Sequence, residues 1–245
     1  MGLIMKIQFY LLFLFLILFS ACSSTKHLPP GVIFTFDDGW ENVYLNAVPI
    51  FDEYNITGTV FLTTSFIEVY GYVDSTQIRS MIDRGWEIGT HSIYHESFLY
   101  LSTDSLYLNL ILPKIELEQK FDIEIQHIAT AYGEFNDDVI SSIRKFYATH
   151  SNAFSETRGL NELSNIDFYN IHRWDITQEV EIDEVCQRIN SLEEGQVIVL
   201  LFHQIRNDVF GNWHLSISDF ERIVKCATKV NVYNYLNLLN HEKQK

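Results

Sequence analysis

Three short stretches carry the side chains that could do chemistry. Thr35-Phe36-Asp37-Asp38-Gly39-Trp40 sets two adjacent carboxylates between an apolar run, Val32-Ile33-Phe34, and a glycine. His91-Ser92-Ile93-Tyr94-His95 places two imidazoles four residues apart, and Leu201-Phe202-His203 ends another apolar run in a third. The run before Asp37 reads as a buried strand, and Asp-Gly as its abrupt end. Successive side chains of a strand point to opposite faces, so two carboxylates at its mouth can take different jobs in one site. Two histidines four apart on a helical turn share a face and can grip one ion. With one carboxylate they make a nitrogen and oxygen set that suits zinc and leaves a place for water or substrate.

These residues need elements that bring them to one place. Strands are expected at 31–36, 58–63, 86–90, 124–130, 146–150, 168–175 and 197–202, from β-branched and aromatic runs bounded by turn residues. Helices are expected between them, at 41–54, from Ser75 or Thr76 to Arg84, at 103–120 with Asp104 as a cap, at 136–145, 182–193 and 217–228. A final strand or short helix lies near 230–239. Pro113 should kink or split the long helix, and 151–167 reads as an ordered loop. Alternating strands and helices imply a mostly parallel sheet with helices outside it. About seven such units suit an α/β fold of the distorted parallel (β/α) barrel type, TIM-like, whose site lies at the C-terminal strand ends. Asp37, Asp38, His91, Tyr132, Asp175 and His203 all fall at such ends.

The chain has 245 residues, enough for one large domain, and 47 % of them are apolar, enough to fill its core. Its 17 basic and 32 acidic residues give a formal charge of −15, which argues against nucleic acid as a partner. Lys6, the apolar stretch Phe9 to Phe19 and then Ser20-Ala21-Cys22 describe a secretory signal peptide over 1–21. The stretch is too short to span a bilayer. Ser20-Ala21-Cys22 resembles a bacterial lipobox, so Cys22 is the expected lipidated residue, with 22–30 a tether and 31–240 the domain. The protein is then a membrane-anchored lipoprotein of the cell envelope, on the outer membrane or periplasmic side in a Gram-negative cell. The two remaining cysteines, Cys186 and Cys226, sit in helical patterns and are expected as buried free thiols.

Together the motifs resemble the NodB-homology polysaccharide deacetylases, carbohydrate esterase family 4. Thr-Phe-Asp-Asp-Gly at 35–39 resembles the first family motif, His-Ser-Ile-Tyr-His at 91–95 the second, and Leu-Phe-His at 201–203 the last. The resemblance implies that Asp37 is the catalytic base, that Asp38, His91 and His95 hold a divalent metal (zinc first, with cobalt, nickel and manganese as alternatives), and that His203 is the catalytic acid. It also implies that the backbone N–H of Tyr132 helps hold the oxyanion. The third motif departs from the family: Ala129-Thr130-Ala131-Tyr132-Gly133 lacks its arginine and proline. Arg173 is the expected substitute, paired with Asp37, because branches resembling poly-N-acetylglucosamine deacetylases place an arginine in this later strand. Asp175 is a candidate support for His203 or Arg173, and Trp40, Tyr94 and Trp213 are candidate sugar-stacking residues.

The resemblance implies a hydrolase that removes acetyl groups from an N-acetylglucosamine-containing polysaccharide or oligosaccharide. Two other functions remain open: an O-acetyl esterase of acetylated glycans, and a lipoprotein that binds glycan without turning it over.

Overall fold

The computed structural model describes residues 28–208 and 211–243. The expected signal peptide, Cys22 and most of the tether lie outside the described residues. In chain order the elements are β1 (Gly31–Phe36), a widened turn of helix (Val43–Ala47) running into α1 (Val48–Tyr54), β2 (Thr59–Leu62), α2 (Ser75–Asp83), β3 (Glu87–Thr90), α3 (Thr103–Phe121), β4 (His127–Ala129), α4 (Asp137–Ile143) and β5 (Thr149–Ser151). Then come β6 (Leu160–Glu162), β7 (Trp174–Asp175), α5 (Ile182–Asn190), β8 (Gln196–Phe202), β9 (Gln204–Ile205), β10 (His214–Leu215), α6 (Ile217–Ala227), β11 (Asn231–Tyr233) and α7 (Tyr235–Glu242).

The strands build a curled, mostly parallel sheet in the order β5-β4-β3-β2-β1-β8. β7 adds to β8 in parallel, and a parallel bridge from Ser151 to Ile171 links β5 to the chain entering β7. This is the expected distorted (β/α) barrel. The distortion has a visible origin at the lower end. There β11 pairs with Gly31–Ile33 of β1, β2 meets β1 only at Thr35 and Phe36, and β6 runs antiparallel to the start of β8.

Side-chain alternation divides the core in two. Val32, Phe34, Phe36, Val60, Leu62, Ile198, Leu200 and Phe202 face the helices in the larger cluster. Ile33, Phe61, Ala129, Val197 and Val199 belong to a second, inner cluster. The same alternation carries Asp37, His91 and His203 inward, each an even number of residues past an inner-face position. The inner space is tight, since a Cβ on Gly89 would meet the Phe61 ring at 2.5 Å.

The last helix closes the floor of the barrel. Tyr235 is fully buried in the inner cluster, and its hydroxyl shares a hydrogen bond with Ser151 Oγ at 2.8 Å. Glu87, buried on β3, accepts from the backbone N–H groups of Tyr235 and Leu236 at 2.9 and 3.0 Å. A carboxylate at a helix start satisfies amides that have no partner within the helix.

Several local expectations change. α2 is capped by Asp74 in a capping box with Gln77, not by Ser75 or Thr76, and α3 is capped by Ser102 rather than Asp104. α3 runs unbroken through Pro113, because burial of Leu106, Leu110, Pro113, Leu117 and Phe121 along one face outweighs one missing hydrogen bond. The expected loop 151–167 contains β6, and the strand expected over 168–175 is ordered as a strand only at Trp174–Asp175. His91 to His95 is not a helical turn: Ser92 and His95 both have positive φ, 72° and 56°, and the segment is a loop.

The cysteine expectation is overturned. Cys186 on α5 and Cys226 on α6 form a disulfide with a Cα separation of 5.4 Å. Helical periodicity hid this, because the two helices pack side by side and bring residues 40 apart into contact. Closing that loop should stabilise the fold by about 2–4 kcal/mol. Urea unfolding with and without reductant measures it: the midpoint should fall on reduction, and an unchanged midpoint would show that the bridge constrains nothing.

Candidate active site at the mouth of the barrel

Asp37 follows β1 directly, its N–H bonded to the Phe202 carbonyl at 3.0 Å, so its side chain enters the barrel from a paired backbone. Arg173 meets it from the chain entering β7. The guanidinium donates to both carboxylate oxygens, at 2.7 and 2.8 Å, and is itself completely buried. Its Nε donates to the Asn152 carbonyl, and its plane lies over the Phe61 ring with 5.3 Å to the centroid. Burial pushes the Asp37 pKa upward, but the Arg173 charge and its hydrogen bonds outweigh it and hold the carboxyl below its ordinary range. The pairing expected for Arg173 and Asp37 is present as a two-pronged bond.

Asp38 turns the chain. Its φ is 72° and that of Gly39 is 84°, a left-handed pair that ends the strand and aims the second carboxylate along the rim. Its Oδ2 accepts from Trp40 Nε1 at 2.9 Å. Its Oδ1 is buried without a hydrogen bond, while His95 Nε2 and His91 Nε2 lie 3.1 and 3.5 Å away. His91 Nδ1 faces the Ala129 carbonyl at 2.9 Å. A carbonyl can only accept, so the proton sits on Nδ1 and the Nε2 lone pair faces Asp38. Burial also lowers the His91 pKa despite Asp37 and Asp38 nearby, which keeps the ring neutral.

One ligand atom each from Asp38, His91 and His95 thus lies within 4.8 Å of the others. A carboxylate oxygen without a donor and a neutral imidazole lone pair converge on one point. That arrangement is poorly satisfied by protein alone and fits a divalent cation.

His203 follows β8 directly, on the inner-face alternation. Its Nδ1 faces Asp175 Oδ1 at 3.5 Å, and neither atom has another hydrogen-bond partner. Burial would lower its pKa, but Asp175 foremost, then Asp37 and Asp38, raise it above the ordinary value. Tyr132 lies in the short turn Ala131–Gly133 with φ 60°, and its ring packs edge-on against His95 at 4.7 Å. Despite the missing proline, Ala131 is fully buried and the turn is closed by Gly133 N–H to the Thr130 carbonyl at 3.0 Å.

Asp37, Asp38, Trp40, His91, His95, Tyr132, His203 and Trp213 all line one cavity of about 350 Å³. Arg173 and Asp175 stand behind it, against Asp37 and His203. Tyr94 is exposed and does not line the cavity. Reading the sequence missed Phe154 and Gln204, which do line it, and Asn152, which holds Arg173. The signal lay in β5: its expected end at 150 is one residue short, and ending it at Ser151 puts 152–154 at the mouth.

The model of the family described as polysaccharide deacetylase matches residues 25–150. The chain belongs to the polysaccharide deacetylase family. The Bacillus subtilis protein YxkH, whose name assigns it to the polysaccharide deacetylases, is 24 % identical over 114 residues, 46 % of this chain and 41 % of YxkH, so the chain spans less than half of that relative. Among solved structures, the Xyl-CE4 domain of a multidomain xylanase from the hindgut metagenome of Trinervitermes trinervoides superposes with a TM-score of 0.62 at 13 % identity, covering 88 % of this chain and 92 % of that one. BA3943 of Bacillus anthracis, described as a CE4 family pseudoenzyme, gives a TM-score of 0.59 at 19 % identity, covering 85 % of this chain and 65 % of that one. At these identities the structural likeness speaks for the fold.

The buried Asp37–Arg173 pair generates a test. Arg173→Ala leaves a carboxylate buried and unpaired, which should lower the unfolding free energy by about 3–5 kcal/mol. The folded pKa of Asp37 lies below its unfolded value near 3.8. The contribution is therefore complete above that value and is lost as pH falls through the folded pKa. Denaturant unfolding should show a gap between wild type and Arg173→Ala that is widest toward neutral pH and shrinks on acidification, first as burial lets the variant's Asp37 take up a proton and then, below about pH 4, as wild type loses its ion pair. A gap that grows on acidification would contradict the assigned ionisation.

Proposed function

We propose that this protein is a metal-dependent N-deacetylase of an N-acetylglucosamine-containing polysaccharide, of the type resembling poly-N-acetylglucosamine deacetylases. The observation that carries the reading is the division of labour between two adjacent carboxylates. Asp37 is paired with Arg173, while Asp38 faces two histidines with an oxygen lacking any donor. One is set up to move a proton and the other to hold a cation.

The reaction adds water across the acetamide C–N bond and yields acetate and a free amino sugar. Asp37, kept ionised and oriented by the Arg173 fork, takes a proton from the attacking water. His203, held protonated by Asp175, delivers a proton to the departing nitrogen, which is otherwise a poor leaving group. The Tyr132 N–H, carried on a left-handed turn, is the donor for the negative charge that develops on the acetyl oxygen. A divalent ion held by Asp38, His91 and His95, zinc in this reading, would supply Lewis-acid polarisation and a more acidic water.

We also place the protein in the cell envelope as a lipoprotein anchored through Cys22. The lipobox-like Ser20-Ala21-Cys22 supports this, and so does the Cys186–Cys226 disulfide, since such bonds persist in oxidising compartments. The presence of a pseudoenzyme among the structural neighbours makes the retained residues matter. Here Asp37, Asp38, His91, His95 and His203 are all in place around one cavity.

Acetate release from N-acetylglucosamine oligomers, with zinc or cobalt added and Asp37→Asn as control, tests the reading. Release should require metal and be lost in the control. Release from acetylated xylan alone would make the protein an O-acetyl esterase, and no release from either glycan would end the catalytic reading. Asp175→Asn removes the main group raising the His203 pKa, so the alkaline limb of the kcat/KM profile should move to lower pH. An unmoved limb would remove Asp175 from the account.

A further inference from the structure

The turn that presents the Tyr132 N–H begins at Ala131, so no proline ring fixes its entry. Tyr132 itself sits in the left-handed region at φ 60°. A residue with a side chain keeps that conformation only where its surroundings hold it there. A donor for a developing oxyanion must also be aimed before the charge appears. Contacts on both flanks of the turn supply that hold, and they meet in one buried side chain, His150.

Thr130 lies between β4 and the turn and is fully buried. Its carbonyl accepts the Gly133 N–H at 3.0 Å, the bond that closes the turn. Its hydroxyl lies 3.1 Å from Nε2 of His150 on β5. The other ring nitrogen, Nδ1, lies 2.8 Å from the Tyr169 carbonyl. A carbonyl can only accept, so Nδ1 carries the proton, Nε2 keeps its lone pair, and the Thr130 hydroxyl donates to it. Burial holds the His150 pKa down to about 4, so this arrangement persists at neutral pH.

Beyond the turn, the Phe135 ring packs edge-on against the same imidazole at 4.9 Å. One ring on β5 thus grips the chain two residues before Tyr132 and three after it. The grip is anchored in turn. The His150 N–H donates to the Phe168 carbonyl at 2.8 Å, and the Tyr169 hydroxyl to the Tyr147 carbonyl at 3.0 Å. His150 is fully buried and does not line the cavity, so it has no contact with a substrate there. An apolar side chain could fill the same place without burying two ring nitrogens; what the histidine adds is the pair of bonds it makes.

We infer that His150 is a positioning residue for the reaction: by accepting from Thr130 and packing against Phe135, it fixes the turn that aims the Tyr132 N–H. The inference rests on the deacetylase reading, which gives that N–H its role. His150 acts through Thr130 and Phe135 and exchanges no proton with the substrate.

The test measures kcat and KM for the N-acetylglucosamine pentamer in cobalt-loaded wild type, Thr130→Val, Thr130→Ser and His150→Phe, with kcat counted per bound cobalt ion. Thr130→Val keeps the shape and removes the donor, while His150→Phe keeps a flat ring against Phe135 and removes the acceptor. Each should lower kcat about tenfold or more with KM within about twofold, because an oxyanion donor acts in the transition state. Thr130→Ser keeps the hydroxyl and should stay near wild type. Combining Thr130→Val with His150→Phe removes one bond, not two, so kcat should fall no further than in either single variant. A wild-type kcat in Thr130→Val or His150→Phe, an equal loss in Thr130→Ser, or additive losses in the double variant overturns the inference and leaves the deacetylase reading standing. Should wild type release no acetate, that reading fails, and hydrogen exchange at the Gly133 N–H decides the brace. Exchange that quickens at Gly133 but not along β8 in Thr130→Val, and not in Thr130→Ser, supports it; unchanged exchange at Gly133 overturns it.

Discussion

A carboxylate cannot stay charged inside an apolar barrel without a partner, and the Asp37–Arg173 pair meets that constraint. Asp37 sits at the end of the most enclosed strand, with Phe61 and the inner aliphatic cluster below it. Burial alone would protonate it. The fully buried guanidinium reverses the balance and also sets the orientation of both oxygens. Arg173 is held in turn by Asn152, through the Asn152 carbonyl and a side-chain bond to the Arg173 N–H at 3.2 Å. Beneath lie Phe61 and then Tyr235, whose rings meet edge to face at 6.0 Å. The ionisation of one rim residue therefore depends on packing that reaches the floor of the barrel.

The remaining site follows from strand periodicity and from short ties outward. Alternation sends Asp37, His91 and His203 inward without any further device. What each then does is set by one contact on its far side: Arg173 for Asp37, the Ala129 carbonyl for His91, Asp175 for His203. Asp38 escapes the alternation only because the chain turns left-handed there, which separates two neighbouring carboxylates into two roles. Loops that follow strand ends can vary without disturbing the barrel.

Much of this was legible in the residues themselves. Apolar runs ending in Asp-Asp-Gly and in His203 marked β1 and β8, because buried parallel strands carry little else. The pairing of Arg173 with Asp37 could be anticipated once the third motif was seen to lack an arginine. Other features depend on tertiary neighbours. His91 and His95 looked like a helical pair, yet two left-handed residues make a loop that brings them together. Cys186 and Cys226 follow helical patterns that say nothing of which helices pack together. Phe154 was hidden by a strand end placed one residue early, and β6 by a polar stretch whose pairing partners in β8 lie 34 to 38 residues downstream. The disulfide and β6 are contacts between distant segments, where local pattern carries no information, whereas the His91–His95 loop and the end of β5 turn on the backbone of single residues.

The most direct test of the division between the two carboxylates is metal binding itself. Chelator-stripped protein titrated with cobalt should take up one ion per chain, with an absorption spectrum of mixed nitrogen and oxygen ligation. Asp38→Asn, His91→Ala and His95→Ala should each abolish or sharply weaken that uptake, while Asp37→Asn should bind the ion as wild type does. Uptake lost equally in Asp37→Asn, or no stoichiometric uptake by the wild type, would contradict the assignment of Asp38 to the ion and Asp37 to the proton.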